Sequence, residues 1–222
     1  MQQRIGSRKN ASAPQADPAI IDALRDIPAA LISDNMRRIV GTAALRPYHR
    51  SGGMVGTAVT VRVRRGDNLA IHRAFEYCRP GDVLVVDGGG DVTQALLGEI
   101  MSMYAESIGV AGLVLDGAIR DVAAIREKDF PVFARGVTHK GPYKAGPGEI
   151  NVPVSIDGLV IHPGDIVVGD DDGLVAFPQE EAEYLIGKAR AQMRKEADTI
   201  QSIRDGRFDR SWIDAFEANM AG

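Results

Sequence analysis

Cysteine is all but missing from this sequence. Cys78 is the only one in 222 residues, so no intrachain disulfide can form and a reducing, cytoplasmic setting is expected. A basic excess is missing too. The formal net charge of −4 and a sequence pI near 5.6 argue against a nucleic-acid binder that works by neutralising phosphates. No apolar run approaches the roughly 20 residues that span a bilayer, so no membrane association is expected. The opening MQQRIGSRKNASAPQADP lacks the apolar stretch of a signal peptide, and residues 1–17 are expected to form a mobile tail. The four histidines, His49, His72, His139 and His162, show no zinc spacing. No internal repeat is visible. What remains is 45% hydrophobic residues, enough for one large domain with a good core.

The most informative stretch is GDVLVVDGGGDVTQALLGEIMSMYAESIGVAGLVLDGAIRD, from Gly81 to Asp121. Two continuous apolar runs, Val83–Val86 and Val110–Leu115, read as strands buried on both faces. A helix-patterned segment lies between them, which implies a parallel pair joined by a right-handed crossover. Ligands in such units sit at the carboxyl ends of the strands. Asp87, Asp116, Arg120 and Asp121 are expected to converge there, with Gly88–Gly90 forming a tight turn.

Elsewhere the pattern alternates between helices and short strands. Asp17-Pro18 starts a helix that ends by Pro28, and a second is expected from Ser33 or Asp34 to Gly41, with Met36, Ile39 and Val40 on one face. Thr57–Val63 alternates as a strand, and Gly66-Asp67-Asn68 caps a helix carrying Leu69, Ile71, His72, Phe75 and Cys78, with His72 a packed residue. Residues 136–151, rich in glycine and proline, are expected to form an ordered loop or lid in which His139 can reach a ligand. Four short strands follow between Val152 and Phe177, then a helix from Gln179 to Met193. The reading is mixed α/β, with two sheets and helices on one side. Residues 18–195 are taken as a single catalytic domain and 196–222 as a helical extension suited to a subunit contact.

Two features bear on chemistry. The central helix starts either at Gly98 or near Val92. If it starts at Gly98, the N–H groups of Glu99, Ile100 and Met101 are unpaired and make an anion site. Arg120-Asp121 supplies a guanidinium suited to gripping a carboxylate and an aspartate suited to a hard divalent ion. The plainer account is a surface ion pair, with Asp121 capping a helix over Val122–Lys128. Other chemistries fit less well. Lys128, Lys140, Lys144, Lys188 and Lys195 lie in polar segments unsuited to Schiff-base formation. GGGDVTQ lacks a dinucleotide fingerprint. Asp170–Gly173 fits a hairpin turn better than a calcium loop, because Leu174 stands where an oxygen ligand belongs. Arg62, Arg64 and Arg65 read as a solvated strand face or a subunit contact.

The segment GDVLVVDGGG…GE…GVAGLVLDGAIRD, together with GDN at 66–68, GPYKAGPGEINVPV and HPGDIVVGDDDG, resembles the family of 4-hydroxy-4-methyl-2-oxoglutarate and 4-carboxy-4-hydroxy-2-oxoadipate aldolases. The regulator of ribonuclease activity A belongs to the same superfamily. The family pattern is an acid, twenty residues, then Arg-Asp, which Glu99 and Arg120-Asp121 match. The resemblance implies a ββα swivelling-domain fold, in trimers or hexamers with active sites between subunits. It implies Mg²⁺ or Mn²⁺ with Asp121 a direct ligand and Glu99 holding the ion's waters. Arg120 would bind the 2-oxo acid end of the substrate, helped by backbone at Gly98, Ile100 and Met101. This chain departs from the family at Ala124, where an acid is common.

The implied reaction is retro-aldol cleavage of a 4-hydroxy-2-oxo acid to pyruvate, with oxaloacetate decarboxylation through the same enolate. A metal-bound water near Glu99 is the candidate base. The alternative is a non-catalytic regulator that binds a ribonuclease or helicase. That branch is described as lacking the acid pair, which is present here.

Overall fold

A computed structural model describes residues 4–38 and 41–220 of the chain. Asp17 caps helix α1 (Pro18–Leu24), its carboxylate accepting the Ala19 N–H at 2.8 Å. Helix α2 (Ala29–Asn35) begins directly after Pro28, earlier than the expected start at Ser33, and ends before the expected Gly41. The backbone leaves it through positive φ at Arg37 and Arg38, which no helix continues through. Ile39 and Val40, expected on its apolar face, lie outside the described residues. Strands β1 (Arg46–Pro47) and β2 (Met54–Val63) follow, then the short helix α3 (Leu69–Ala74), a 3₁₀ turn over Phe75–Tyr77, and the long strand β3 (Asp82–Leu97). Helix α4 (Glu99–Ser107) leads to β4 (Gly112–Ile119), and α5 (Val122–Arg126) to β5 (Val132–Val137). Five short strands come next: β6 (Gly148–Ile150), β7 (Val154–Ile156), β8 (Leu159–Ile161), β9 (Ile166–Asp170) and β10 (Gly173–Phe177). Helices α6 (Ala182–Arg204) and α7 (Trp212–Met220) complete the chain.

The main sheet has the order β1-β5-β4-β3-β2-β9-β10, with β6 pairing the far half of the β2 edge that β9 also uses. Its middle, β2 to β5, is parallel, as the βαβ pattern requires. Alternating residues explain why both faces are buried. Leu84, Val86, Leu113 and Leu115 pack with Ile71 of α3, Met101 and Ala105 of α4 and Ile125 of α5. Val83, Val85 and Val114 face the other way, against Val154, Ile156, Leu159 and Ile161 of the β7–β8 hairpin. So the second sheet is a two-stranded hairpin that covers the face opposite α3–α5. A third cluster joins α1, α2 and α6 to β9 and β10, with Ala182, Leu185, Ile186 and Ala189 forming the helical stripe of α6. This is the mixed α/β single domain expected. No helix among the described residues is long and apolar enough to cross a membrane.

Residues 8–16, expected within a mobile tail, are tied to the body. Ile150 N–H bonds Arg8 O, Asn10 N–H bonds Ile150 O, and the Arg8 guanidinium pairs with buried Glu149. The burial of Glu149 demands such a partner.

Strand β3 is unlike a regular strand. Its pairing with β4 runs Asp87↔Asp116, Asp91↔Gly117, Ala95↔Ala118 and Leu97↔Ile119, so extra residues are pushed out between successive pairs. The triple glycine is therefore a bulge inside a strand, with Gly89 and Gly90 at φ of 66° and 70°. Leu96 lies over the bulge. A Cβ at Gly88 or Gly117 would stand 2.7 or 2.6 Å from its Cδ1.

That irregularity separates residues expected to share one rim. Asp116 is buried inside β4, where Arg135 Nε reaches its Oδ1 at 2.5 Å. The same guanidinium bonds Asp157 Oδ1 at 3.0 Å, in the β7–β8 turn. Asp157 in turn accepts the N–H groups of Ala43 and Ala44. Asp87 pairs with Arg62 at 3.4 Å and accepts the Gly89 N–H, so Arg62, the one arginine of the basic cluster on β2, is exposed yet paired within the fold. Both aspartates hold the hairpin and the bulge to the sheet.

Candidate active site

The chemistry collects where β3 and β4 end. Because Leu97 pairs with Ile119, the chain leaves both strands at the same level. Gly98 on one side and Arg120-Asp121 on the other are thereby neighbours, and Arg120 N–H donates to Leu97 O at 3.0 Å. Of the two helix starts the sequence allows, the structure has the one at Gly98. Gly98 is the N-cap of α4, and the first intrahelical bond runs from Ser102 N–H to Gly98 O at 3.1 Å. This leaves the N–H groups of Ile100 and Met101 without an intrahelical acceptor.

Asp121 does not behave as an ordinary cap. It occupies the N-cap position of α5, yet its carboxylate makes no bond to that helix. Oδ2 instead accepts the Glu99 N–H at 3.1 Å, across the gap to α4. Its backbone sits at φ 55°, ψ 35°, a left-handed conformation that aspartate tolerates at some cost. Arg120 Nε lies 3.6 Å from the same Oδ2, and both side chains are about two-fifths exposed, 44% and 42%. Part of the surface-ion-pair account therefore holds. The carboxylate's direction belongs to α4.

Gly98 has an ordinary extended backbone, φ −146° and ψ −159°, so its requirement is for space. A Cβ there would stand 2.2 Å from Asp121 Oδ2 and 2.8 Å from Arg120 Cγ. Gly98→Ala is expected to push both side chains aside and, where these groups act on a substrate, to lower kcat/KM about a hundredfold, the usual cost of misplacing reacting groups by about 1 Å. Circular dichroism should show the fold retained. A variant with at least half the original activity would contradict that geometry.

Around these groups lies a cleft of about 40 Å³, walled by Asn68, Gly98, Met101, Arg120, Asp121 and Pro142 among others. The segment expected as a lid is strapped down. Buried Asp67 accepts N–H groups from Leu69, Ala145 and Gly146, while Tyr143 N–H bonds Gly66 O and Ala95 N–H bonds Lys140 O. A Cβ at Gly141 would lie 3.2 Å from Arg120 Nη1, so the strap borders the arginine. Asn68 and Pro142 were not singled out as site residues. The GDN triplet and the glycine/proline segment entered the family resemblance as motifs, but local pattern gave them only the roles of a helix start and of a loop or lid.

Other groups fall outside the cleft. His72 is exposed on α3, and His139 is exposed in the strap. His72 borders a roomier cavity of about 420 Å³ that also meets Arg73, Glu76 and Pro147. That cavity contains none of Glu99, Arg120 or Asp121, and its Arg73 is spent on Glu76 at 2.6 Å. Burial pushes the Cys78 thiol up to about 12, so it carries no thiolate chemistry near neutral pH.

No three His, Cys, Asp or Glu side chains cluster as a metal cage among the described residues. The donor set at the cleft still suits a hard divalent ion. Mg²⁺ typically keeps several waters and takes one or two carboxylates, and Asp121 offers a half-exposed carboxylate open to water, with the half-buried Glu99 heading the facing helix. No thiolate or imidazole lines the cleft, and its one sulfur, the Met101 thioether, already meets Asn68 Nδ2 at 3.4 Å.

A family model described as RraA-like, aldolase/RraA, matches residues 29–176. A Halalkalibacterium halodurans protein named "Putative 4-hydroxy-4-methyl-2-oxoglutarate aldolase" is 40% identical over 198 residues, covering 86% of this chain and 94% of the relative. A 4-hydroxy-4-methyl-2-oxoglutarate aldolase of Thermus thermophilus is 36% identical over 63% of this chain and 86% of its own. The crystal structure of Streptomyces coelicolor RraAS2, titled an unusual member of the RNase ES inhibitor RraA family, superposes with a TM-score of 0.76. It is 27% identical and covers 83% of this chain and 97% of that one.

Proposed function

This chain belongs to the RraA-like family, and we propose that it is a metal-dependent aldolase releasing pyruvate from a 4-hydroxy-2-oxo acid. The observation that carries this reading is the Asp121 carboxylate turned onto the start of α4, beside Arg120 and two N–H groups with no helical acceptor. A regulator that only docks on a ribonuclease has no need of that arrangement.

The residues divide the work by their chemistry. The Arg120 guanidinium and the N–H groups of Ile100 and Met101 bind the substrate's C1 carboxylate, a planar anion matched to a fork of donors. Asp121, with Glu99 holding waters, would hold a Mg²⁺ or Mn²⁺ ion, which supplies Lewis-acid polarisation of the C2 carbonyl. Cleavage breaks the C3–C4 bond. Its electron pair becomes the enolate of pyruvate, while the C4 hydroxyl loses its proton and becomes a carbonyl. Arg120 stabilises negative charge as it develops on the pyruvate half. Glu99 receives the hydroxyl proton through a water and returns a proton to C3. Oxaloacetate yields the same enolate by losing CO₂, so decarboxylation is a second activity of this site.

The cleft is small for a dicarboxylic substrate, Ile100 of its wall is exposed, and Met103 and Tyr104 are exposed further along α4. These features support a homotrimer or hexamer whose neighbouring subunit completes the pocket. We assign the protein to the cytoplasm from its single cysteine, with no nucleic-acid partner from its acidity and no membrane partner from the lack of a long apolar run.

The test is pyruvate release from 4-hydroxy-4-methyl-2-oxoglutarate and from oxaloacetate, with Mg²⁺ and then with excess EDTA. Activity lost to EDTA and restored by the metal is the expected result. No pyruvate from either substrate, with the oligomer intact, would sink the aldolase reading and favour the regulator, to be sought by pull-down.

A further inference from the structure

We propose that Asn68 positions the water through which the C4 hydroxyl proton leaves, an inference that rests on the aldolase reading above. Asn68 is 2% exposed and forms part of the cleft wall. Its Nδ2 donates to Leu96 O at 3.0 Å and lies 3.4 Å from Met101 Sδ, which orients the amide. Backbone bonds hold the residue from both sides, Asn68 N–H to Tyr143 O and His72 N–H to Asn68 O. Its Oδ1 is buried and has no hydrogen-bond donor among the described residues. Native structures seldom leave such an acceptor unmet, so a ligand or water is its natural partner. The cleft holds about 40 Å³, and one water needs only roughly 10–15 Å³ by that measure.

The substrate's chemistry says what that partner does. Ionised carboxylates and a 2-oxo group only accept hydrogen bonds. The C4 hydroxyl is the one donor of this substrate class, and its proton must depart as C3–C4 opens. An amide oxygen is no base, so Asn68 cannot take the proton itself. It can hold a water by one O–H, leaving a lone pair for the hydroxyl proton and the second O–H to pass a proton on toward Glu99, which stands between the wall residues Gly98 and Ile100 at the head of α4. The water takes one proton and gives one up, Glu99 ends protonated, and the enolate later recovers that proton at C3. Three partners are typical of a structural water. Asn68 is thus a positioning residue for aldol cleavage. Decarboxylation of oxaloacetate removes no hydroxyl proton and does not call on it.

The experiment compares both reactions in the full-length protein with Mg²⁺. Asn68→Leu should lower kcat for 4-hydroxy-4-methyl-2-oxoglutarate at least about tenfold relative to kcat for oxaloacetate, a floor set below the roughly 10²–10⁴-fold of a proton-transfer group itself because Asn68 only positions the water. Asn68→Asp keeps an acceptor and loses the bond to Leu96 O, and it should restore most of that ratio. Equal losses on both substrates in Asn68→Leu would mean a structural role only. A crystal structure of the unaltered protein gives a second readout that needs neither variant to fold. A water within hydrogen-bond distance of Asn68 Oδ1 is expected, and a dry Oδ1 overturns the proposal. Failure of the unaltered protein to turn over either substrate would instead count against the aldolase reading.

Discussion

Asp121→Ala is expected to lower kcat/KM for metal-dependent pyruvate release about a thousandfold, since Lewis-acid activation is worth several kcal/mol. The loss should be equal for the 4-hydroxy-2-oxo acid and for oxaloacetate, because in the proposed mechanism both reactions pass through the pyruvate enolate. Stability should change little. The substitution removes one bond, from Glu99 N–H, to a carboxylate that is 42% exposed, and helix caps are worth about 1 kcal/mol before solvent screening. Asp121→Asn sharpens the point. It can still accept the Glu99 N–H, so it keeps the local shape while losing the charge a divalent ion needs. Titrating Mg²⁺ or Mn²⁺ by calorimetry should show binding weakened in both variants. Retention of activity within tenfold, with metal binding unaltered, would remove Asp121 from the site.

The second large effect is on stability and lies outside the cleft. Arg135→Ala strands Asp116, whose side chain is 5% exposed, and frees the β7–β8 turn at Asp157. Removing one partner of a buried pair costs about 3–5 kcal/mol. Arg135 is 24% exposed, which favours the lower end, about 3 kcal/mol and a fall in Tm of roughly 6–12 °C for a domain of this size. Arg135→Lys should be intermediate, because an ammonium cannot fork to both carboxylates. The penalty depends on pH. The N–H groups of Ala43 and Ala44, and then Arg135, hold the Asp157 carboxyl below the usual carboxylate range. A depressed folded-state pKa gives stability that is present above the ordinary carboxylate pKa and lost as pH falls through the lowered one. The Tm gap between Arg135→Ala and the unaltered protein should therefore narrow in acid. A gap below 2 °C at neutral pH would show that the network contributes little.

The two networks show how far the sequence could be read. The βαβ unit was legible because both of its strands are continuous apolar runs. The start of α4 was one of two readings, and Gly98 could not be preferred until its crowded Cβ position was seen. The early start of α2 was missed because Pro28 both ends one helix and precedes the next. Asp87 and Asp116 looked equivalent to Asp121, each lying beside a glycine or an arginine at the end of a valine-rich run. Asp116 instead lies within β4, which continues to Ile119. Nothing local marks that continuation, because Gly117 serves in it by admitting Leu96 from β3.

From its sequence alone, this protein was determined to be an α/β domain with a parallel centre, without disulfides, and with Glu99, Arg120 and Asp121 at a family spacing. Those properties depend on residue type and on distance along the chain. Only the tertiary structure decided which carboxylate meets which helix. The bulges in β3 set the Leu97↔Ile119 register, and that register turns Asp121 toward Glu99 while leaving Asp116 to Arg135. A bulge is an extra residue in one strand measured against its partner, so its placement exists only once the two strands are paired in the folded sheet.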